Sequence, residues 1–132
     1  MPVTGVLDTS AVIAILERRQ IDVEAVPSRL VMTAITAAEL EAGIHSASDI
    51  TTRMTRLATY QTALRLQWLP VDREVTHRWA ALRVAVGRAR ARVNINDLWI
   101  AAIAKANQMP VVTQDDDFDV LIPLGGPDVI HV

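Results

Sequence analysis

The sequence predicts an α/β protein, a three-layer α/β/α sandwich around a central, mainly parallel sheet of about five strands. Three observations carry that expectation. Short apolar, β-leaning runs alternate with longer stretches whose apolar residues recur at helical spacing. One of those stretches is too hydrophobic for a surface helix and has to lie between layers. No internal repeat, low-complexity run or linker interrupts the pattern. Strands joined through helices pair in parallel by right-handed crossovers, and such a sheet has both faces covered.

Val3 to Leu7 is the first strand-like run, and "TSAVIAILERRQ" behind it sets Val12, Ile13 and Leu16 on one helical stripe. "RLVMTAI" predicts a second strand, and "TAAELEAGIHSA" a second helix in which Leu40 and Ile44 are four apart. From Asp49 to Leu66 the apolar residues Ile50, Met54, Leu57 and Leu64 keep helical spacing, with Arg53, Arg56 and Arg65 between them. That predicts an amphipathic helix outside the sheet, with the arginines on its wet side. "LQWLPVD" is a brief third strand, after which Val75, Trp79, Leu82 and Val86 mark another helix with Gly87 at its expected end. "NINDLWIAAIAKANQ" is the alanine-rich central helix. "MPVVT" gives a fourth strand, and "DVIHV" a fifth at the edge after the "GGP" break.

A length of 132 residues suits a single domain, residues 1–132, with one core. The hydrophobic share, 51%, is high for a lone domain of this size and implies apolar surface covered by a protein partner. With no cysteine, a disulfide framework and a zinc-thiolate site are both excluded. The N-terminus has no basic start, and its longest apolar run, Ala11 to Leu16, is far too short to cross a bilayer. The expectation is a cytoplasmic protein with no membrane partner. A net charge of −2 excludes a globally basic nucleic-acid binder, yet the positive charge is nearly all arginine, with Lys105 the only lysine. Arginine forks suit phosphate and carboxylate.

In a parallel sheet the loops leaving the carboxyl ends of the strands share one edge, where ligands bind. Asp8 ends the first strand, Glu39 stands just past the second, Asp97 opens the helix before the fourth, and Asp115 follows the fourth in "VVTQDDDFDV". Each has an ordinary role open to it. Asp8 in "LDTS" can cap a helix, and Glu39 has capping-box spacing from Thr36. Asp97 suits the positive pole of a first turn, with Asn94 or Asn96 as cap. Asp115 can make an Asx turn, with Asp116, Asp117 and Asp119 solvated around a packed Phe118. Charge separates the readings, because two carboxylates about 4 Å apart repel by roughly 4 kcal/mol at an effective dielectric of about 20. Acids that converge need a cation or a raised pKa. His45, His77 and His131 lack paired spacing and read as surface or packing residues. An oxygen-only set then prefers magnesium or manganese.

In order and separation, "VLDTSAVIAIL", "TAITAAELEAGI", "INDLWIAAIAKA" and "VVTQDDDF" resemble the PIN-domain ribonucleases, and within them the VapC toxins of bacterial toxin-antitoxin pairs. The resemblance covers nearly the whole chain. It implies a PIN-domain fold, endoribonuclease activity with Mg2+ or Mn2+, a homodimer, and a cognate VapB-like antitoxin whose C-terminal segment covers the acidic groove. Carried over by position, the family's catalytic, metal-binding acids fall on Asp8, Glu39, Asp97 and Asp115, with Asp117 as an additional ligand. Thr9 and Ser10 fall on small hydroxyl positions that orient Asp8 or hold a water, and Thr113 is the strand threonine two residues before Asp115.

Where the family often has a glycine-containing loop ahead of its third acid, this chain reads "GRARARVNIND". An acidic metal cluster repels RNA and needs cations nearby, so Arg88, Arg90 and Arg92 are candidate RNA-phosphate contacts, with Arg18 and Arg19 as weaker ones. The same run would also suit the negative pole of a helix end. Trp99 is expected in the core rather than against a base. The helix from Asp49 to Leu66 is the expected antitoxin surface. The competing reading is a non-catalytic, metal-dependent ligand-binding module built on D-x-S-x-S, but "DTSAV" puts Val12 where a hydroxyl is required.

Overall fold

Side chains alternate across a strand, so each of these strands feeds two cores. In the computed structural model, which describes residues 3–132, the strands are β1 (Thr4–Leu7), β2 (Arg29–Thr33), β3 (Gln67–Leu69), β4 (Val111–Thr113) and β5 (Val129–His131). They form one sheet of order β3-β2-β1-β4-β5, and every pairing is parallel. Val6 pairs with both Val31 and Val111, and these three face one core. Leu7, Met32 and Val112 face the other.

The helices α1 (Thr9–Leu16), α2 (Ala34–His45) and α3 (Ile50–Ala63) follow β1 and β2. They cover the Leu7, Met32 and Val112 face, through Val12, Leu40 and Ala63 among others. The helices α4 (Arg73–Arg88) and α5 (Ile95–Ala106), with a 3₁₀ segment Asp119–Leu124, cover the Val6 face. A short 3₁₀ turn, Val23–Ala25, precedes β2. The result is the three-layer sandwich that the alternation predicts. As its composition requires, α5 is the innermost helix, with Leu98 and Ile100 through Ala104 all buried. Trp99 stacks on Trp79 of α4, ring centroids 4.9 Å apart and planes 20° from parallel. One ring face of Trp99 is thus taken by a neighbour.

Two expectations are corrected. In α3 the apolar stripe points outward, with Ile50 71% and Met54 65% exposed and Leu57 and Leu64 also at the surface. Its inner stripe is instead Thr52, Arg56, Thr59 and Ala63. Small or hydroxylated residues permit close approach to α1 and α2, and their polar atoms are satisfied. Thr59 Oγ1 lies 3.1 Å from the Thr55 carbonyl and 3.1 Å from the Glu17 carboxylate, while Arg56 donates to the Gly43 carbonyl. Spacing defines a stripe but not which stripe faces in.

Gly87, the other correction, does not end α4. The helix runs on to Arg88, and Arg90, at φ 53°, takes the left-handed conformation that closes it. The Arg90 N–H donates to the Gly87 carbonyl at 3.1 Å and the Ala91 N–H to the Val86 carbonyl at 3.1 Å.

Gly5 is required for room. A Cβ there would stand 2.5 Å from Val112 Cγ2 and 2.8 Å from Pro27 Cγ. Gly5→Ala is therefore expected to cost about 1–3 kcal/mol, measured as a lowered urea midpoint with an unchanged slope. An unmoved midpoint would show that β1 and β4 can separate freely.

Candidate metal centre

From β1 the chain moves toward β2 and β3, whereas β4 leads the other way to β5, so the direction of winding reverses between β1 and β4. Such a reversal opens a crevice at the carboxyl ends of the two strands. Asp8 follows β1 there, and Thr113 ends β4.

Asp8 is both the N-cap of α1 and a buried carboxylate, 4% exposed. Its Oδ1 accepts from the Ala11 N–H at 2.8 Å and from Ser10 Oγ at 2.8 Å, and its Oδ2 accepts from Thr113 Oγ1 at 2.6 Å. Burial pushes its pKa above the ordinary value, these hydrogen bonds pull it back, and the charge of Asp115 adds to the rise. The Thr113 hydroxyl also accepts the Asp115 N–H at 3.0 Å, and Ser10 Oγ accepts the Gln114 N–H at 3.0 Å. One strand-end threonine thereby sets the first acid and the start of the acidic turn together.

Glu39 does not form a capping box with Thr36. The cap of α2 is Thr33, the last residue of β2, whose hydroxyl accepts the Thr36 N–H at 3.2 Å. The chain turns straight from strand into helix, leaving Glu39 free of the helix start. Its Oε1 accepts from Thr9 Oγ1 at 2.7 Å, across the gap to α1. Thr9 therefore orients Glu39, while Ser10 and Thr113 orient Asp8.

Asp97 lies in the first turn of α5, with Asn94 as cap accepting the Asn96 N–H at 2.8 Å. It is half-buried, and its pKa is pushed up to about 6, first by burial and then by the charges of Glu39, Asp117, Asp8 and Asp115. All five acids therefore share one electrostatic neighbourhood, and none forms an ion pair with a basic residue among the described residues.

They do not close on a single point. Among the described residues, the potential ligand atoms found within 4.8 Å of one another belong to Asp116, Asp119 and His131, all exposed. His131 Nε2 is 2.9 Å from Asp119 Oδ1. Exposure agrees with reading these three as surface residues. Their proximity depends on the Thr113 to His131 register of β4 and β5, which no local sequence feature encodes.

Of the arginine run, Arg88 ends α4 and Arg90 closes it. Arg92 lines a cavity of about 330 Å3 with Asn94, Asp97, Asp116, Asp117 and Val120. A second cavity, about 290 Å3, is lined by Glu39 together with Thr9, Arg19 and Arg56.

This donor set suits a hard divalent cation. It offers only oxygen, none of its carboxylates is ion-paired among the described residues, and Asp8 is held by neutral hydroxyl and amide donors that leave its charge available. Thr113→Val, close in shape, removes the shortest of those bonds. The variant is expected to fold with a loss of about 1–3 kcal/mol, and the Asp8 pKa should rise further, because Thr113 is the strongest influence lowering it. A carboxyl titration followed by NMR in which Asp8 stays put would refute this assignment.

The PIN domain family model matches residues 5–121. Ribonuclease VapC5 of Mycobacterium tuberculosis is 43% identical over 131 residues, covering 99% of this chain and 97% of that protein. The crystal structure of VapBC-5, a member of the VapBC family of toxin-antitoxin systems from the same organism, matches with a TM-score of 0.91 at 42% identity, covering 99% of this chain and 100% of that one. VapBC-1 from nontypeable Haemophilus influenzae shares the fold, with a TM-score of 0.76 at 20% identity over 98% of each chain.

Proposed function

Because this chain belongs to the PIN-domain family, we propose that it is a metal-dependent endoribonuclease, the toxin of a toxin-antitoxin pair, with residues 1–132 forming a single PIN domain. The observation that carries the reading is that the charges of Glu39, Asp117, Asp8 and Asp115 all act on Asp97, while none of the five pairs with a basic residue among the described residues. Asp8, Glu39, Asp97 and Asp115 hold Mg2+ or Mn2+, and Asp117 is an additional ligand. When bound, such an ion supplies an activated water and offsets the charge that develops on a phosphodiester.

The protein's own part is positioning. Thr113, Ser10 and the Ala11 amide fix both oxygens of Asp8, and Thr9 fixes Glu39. Asp97 holds a proton at its carboxylate below pH about 6 and releases it above. Metal competes with that proton, so metal affinity and cleavage are expected to fall together on acidification through this range. A calorimetric metal titration at a series of pH values checks it, and an affinity that stays flat counts against Asp97 as a ligand.

The protein partner is a VapB-like antitoxin, and the outward Ile50, Met54 and Leu57 stripe of α3 supports that helix as the docking surface. We also expect a homodimer and a cytoplasmic location. Among the described residues no helix is long and apolar enough to cross a membrane. The ligand-binding-module alternative is disfavoured, since Val12, where it needs a hydroxyl, is fully buried in the core.

Incubation of the purified chain with total RNA and magnesium, with and without chelator, tests the reading. Chelator-sensitive cutting is expected, and its cleavage ends identify the substrate. Metal binding without any cutting would select the non-catalytic module.

A further inference from the structure

We propose that Arg92 is the cation that receives an RNA phosphate beside the acids, and that the cavity it shares with Asp97 is where the substrate strand crosses the site. This rests on the ribonuclease reading above. A carboxylate nest repels a polyanion, so a cation has to face it. The arginines lining cavities next to the acids are Arg19, Arg56 and Arg92. Arg19 is 3.6 Å from Glu17, and Arg56 donates to the Gly43 carbonyl and to Ser46 Oγ. Arg92 has no hydrogen-bond or ion-pair partner among the described residues, and the residue is exposed.

The backbone explains why Arg92 differs from its neighbours in the run. Arg88 sits in the last turn of α4, and the left-handed Arg90 reverses the chain. Arg92 then follows in the connection that enters α5 through the Asn94 cap, and it lines the same cavity as Asp97. The cap uses the Asn94 side-chain oxygen, which leaves its amide NH2 as a second donor in the cavity. Arg92 and Asn94 supply the hydrogen-bond donors of a lining whose other polar members are Asp97, Asp116 and Asp117, so it is through them that the cavity can meet phosphate.

The test compares wild type with Arg92→Ala, Arg92→Lys and, as a control that removes the same charge elsewhere, Arg65→Ala. Binding of a fluorescein-labelled single-stranded RNA of mixed sequence is followed by anisotropy from about 50 to 200 mM salt, and cleavage kinetics are measured in magnesium. Arg92→Ala should raise KM about tenfold with kcat within about twofold, and lower the salt slope of binding by about 0.7, one phosphate contact on a single strand. Arg92→Lys should recover most of the slope, and Arg65→Ala should move neither quantity. Equal behaviour of Arg92→Ala and Arg65→Ala in the binding series overturns the proposal. If wild type never cleaves, the ribonuclease reading fails, while the salt series still decides whether Arg92 meets phosphate.

Discussion

Replacing Asp97 with asparagine is expected to abolish RNA cleavage and, at the same time, to make the metal-free protein more stable at neutral pH. The pKa of Asp97 is raised from 3.8 to about 6 by burial and by four neighbouring carboxylates. The sign follows from linkage. A raised carboxyl contributes stability that is fully present below the ordinary value and is lost as pH climbs through the folded one. Above that range the charged side chain opposes folding. Asparagine keeps the shape and removes the charge, which should restore about 1–2 kcal/mol after allowance for the solvent that screens a half-exposed group.

Melting in chelator should therefore place Asp97→Asn above wild type by a few degrees at about pH 8, with the difference vanishing toward pH about 4. Cleavage should drop at least about 100-fold, as for loss of a group that holds the metal. Asp8→Asn should lose cleavage to a similar degree. Full cleavage by both variants would remove the proposed site. An Asp97→Asn protein melting no higher than wild type at the alkaline end would show that the acids do not strain one another.

The largest loss of stability is expected from Phe118→Ala. Phe118 is 1% exposed although acids flank it on both sides. It caps the 3₁₀ segment Asp119–Leu124, its carbonyl accepts the Leu121 N–H at 3.0 Å, and it belongs to the same core as Leu121 and α5. Truncating a fully buried phenylalanine costs about 3–5 kcal/mol. The ring also anchors the turn that carries Asp115 and Asp117, so metal affinity should fall with stability. Denaturant unfolding in chelator measures the first effect and calorimetric metal titration the second. A loss below about 1 kcal/mol would mean that the site collapses to fill the space.

The alternation of strands and helices was legible because each element carries its own periodicity. Parallel winding gathers strand ends at one edge, which is why Asp8 after β1 and Thr113 at the end of β4 meet. What local reading misses is anything set by partners distant in sequence. The buried stripe of α3 is built from Thr59, Ala63 and Arg56, which look like surface residues until α2 supplies the Gly43 carbonyl. The spacing between Thr36 and Glu39 matches a capping box, yet Thr33 reaches the amide of Thr36 first, and Glu39 finds Thr9 thirty positions earlier. The end of α4 lies beyond Gly87 for a related reason, since a non-glycine residue, Arg90, accepts the left-handed turn. Sheet order, and with it the contact between His131 and Asp119, has no local signature.

The stacked indoles of Trp79 and Trp99 give the chain an optical probe of its own. Trp99 is two residues beyond Asp97 on α5, and its ring lies against α4. Coupled chromophores at this distance should contribute an exciton couplet to the far-ultraviolet circular dichroism, through the strong indole transitions, one that Trp68, 41% exposed and in no such pair among the described residues, does not share. Loss of that band would report separation of α4 from α5 without any added label.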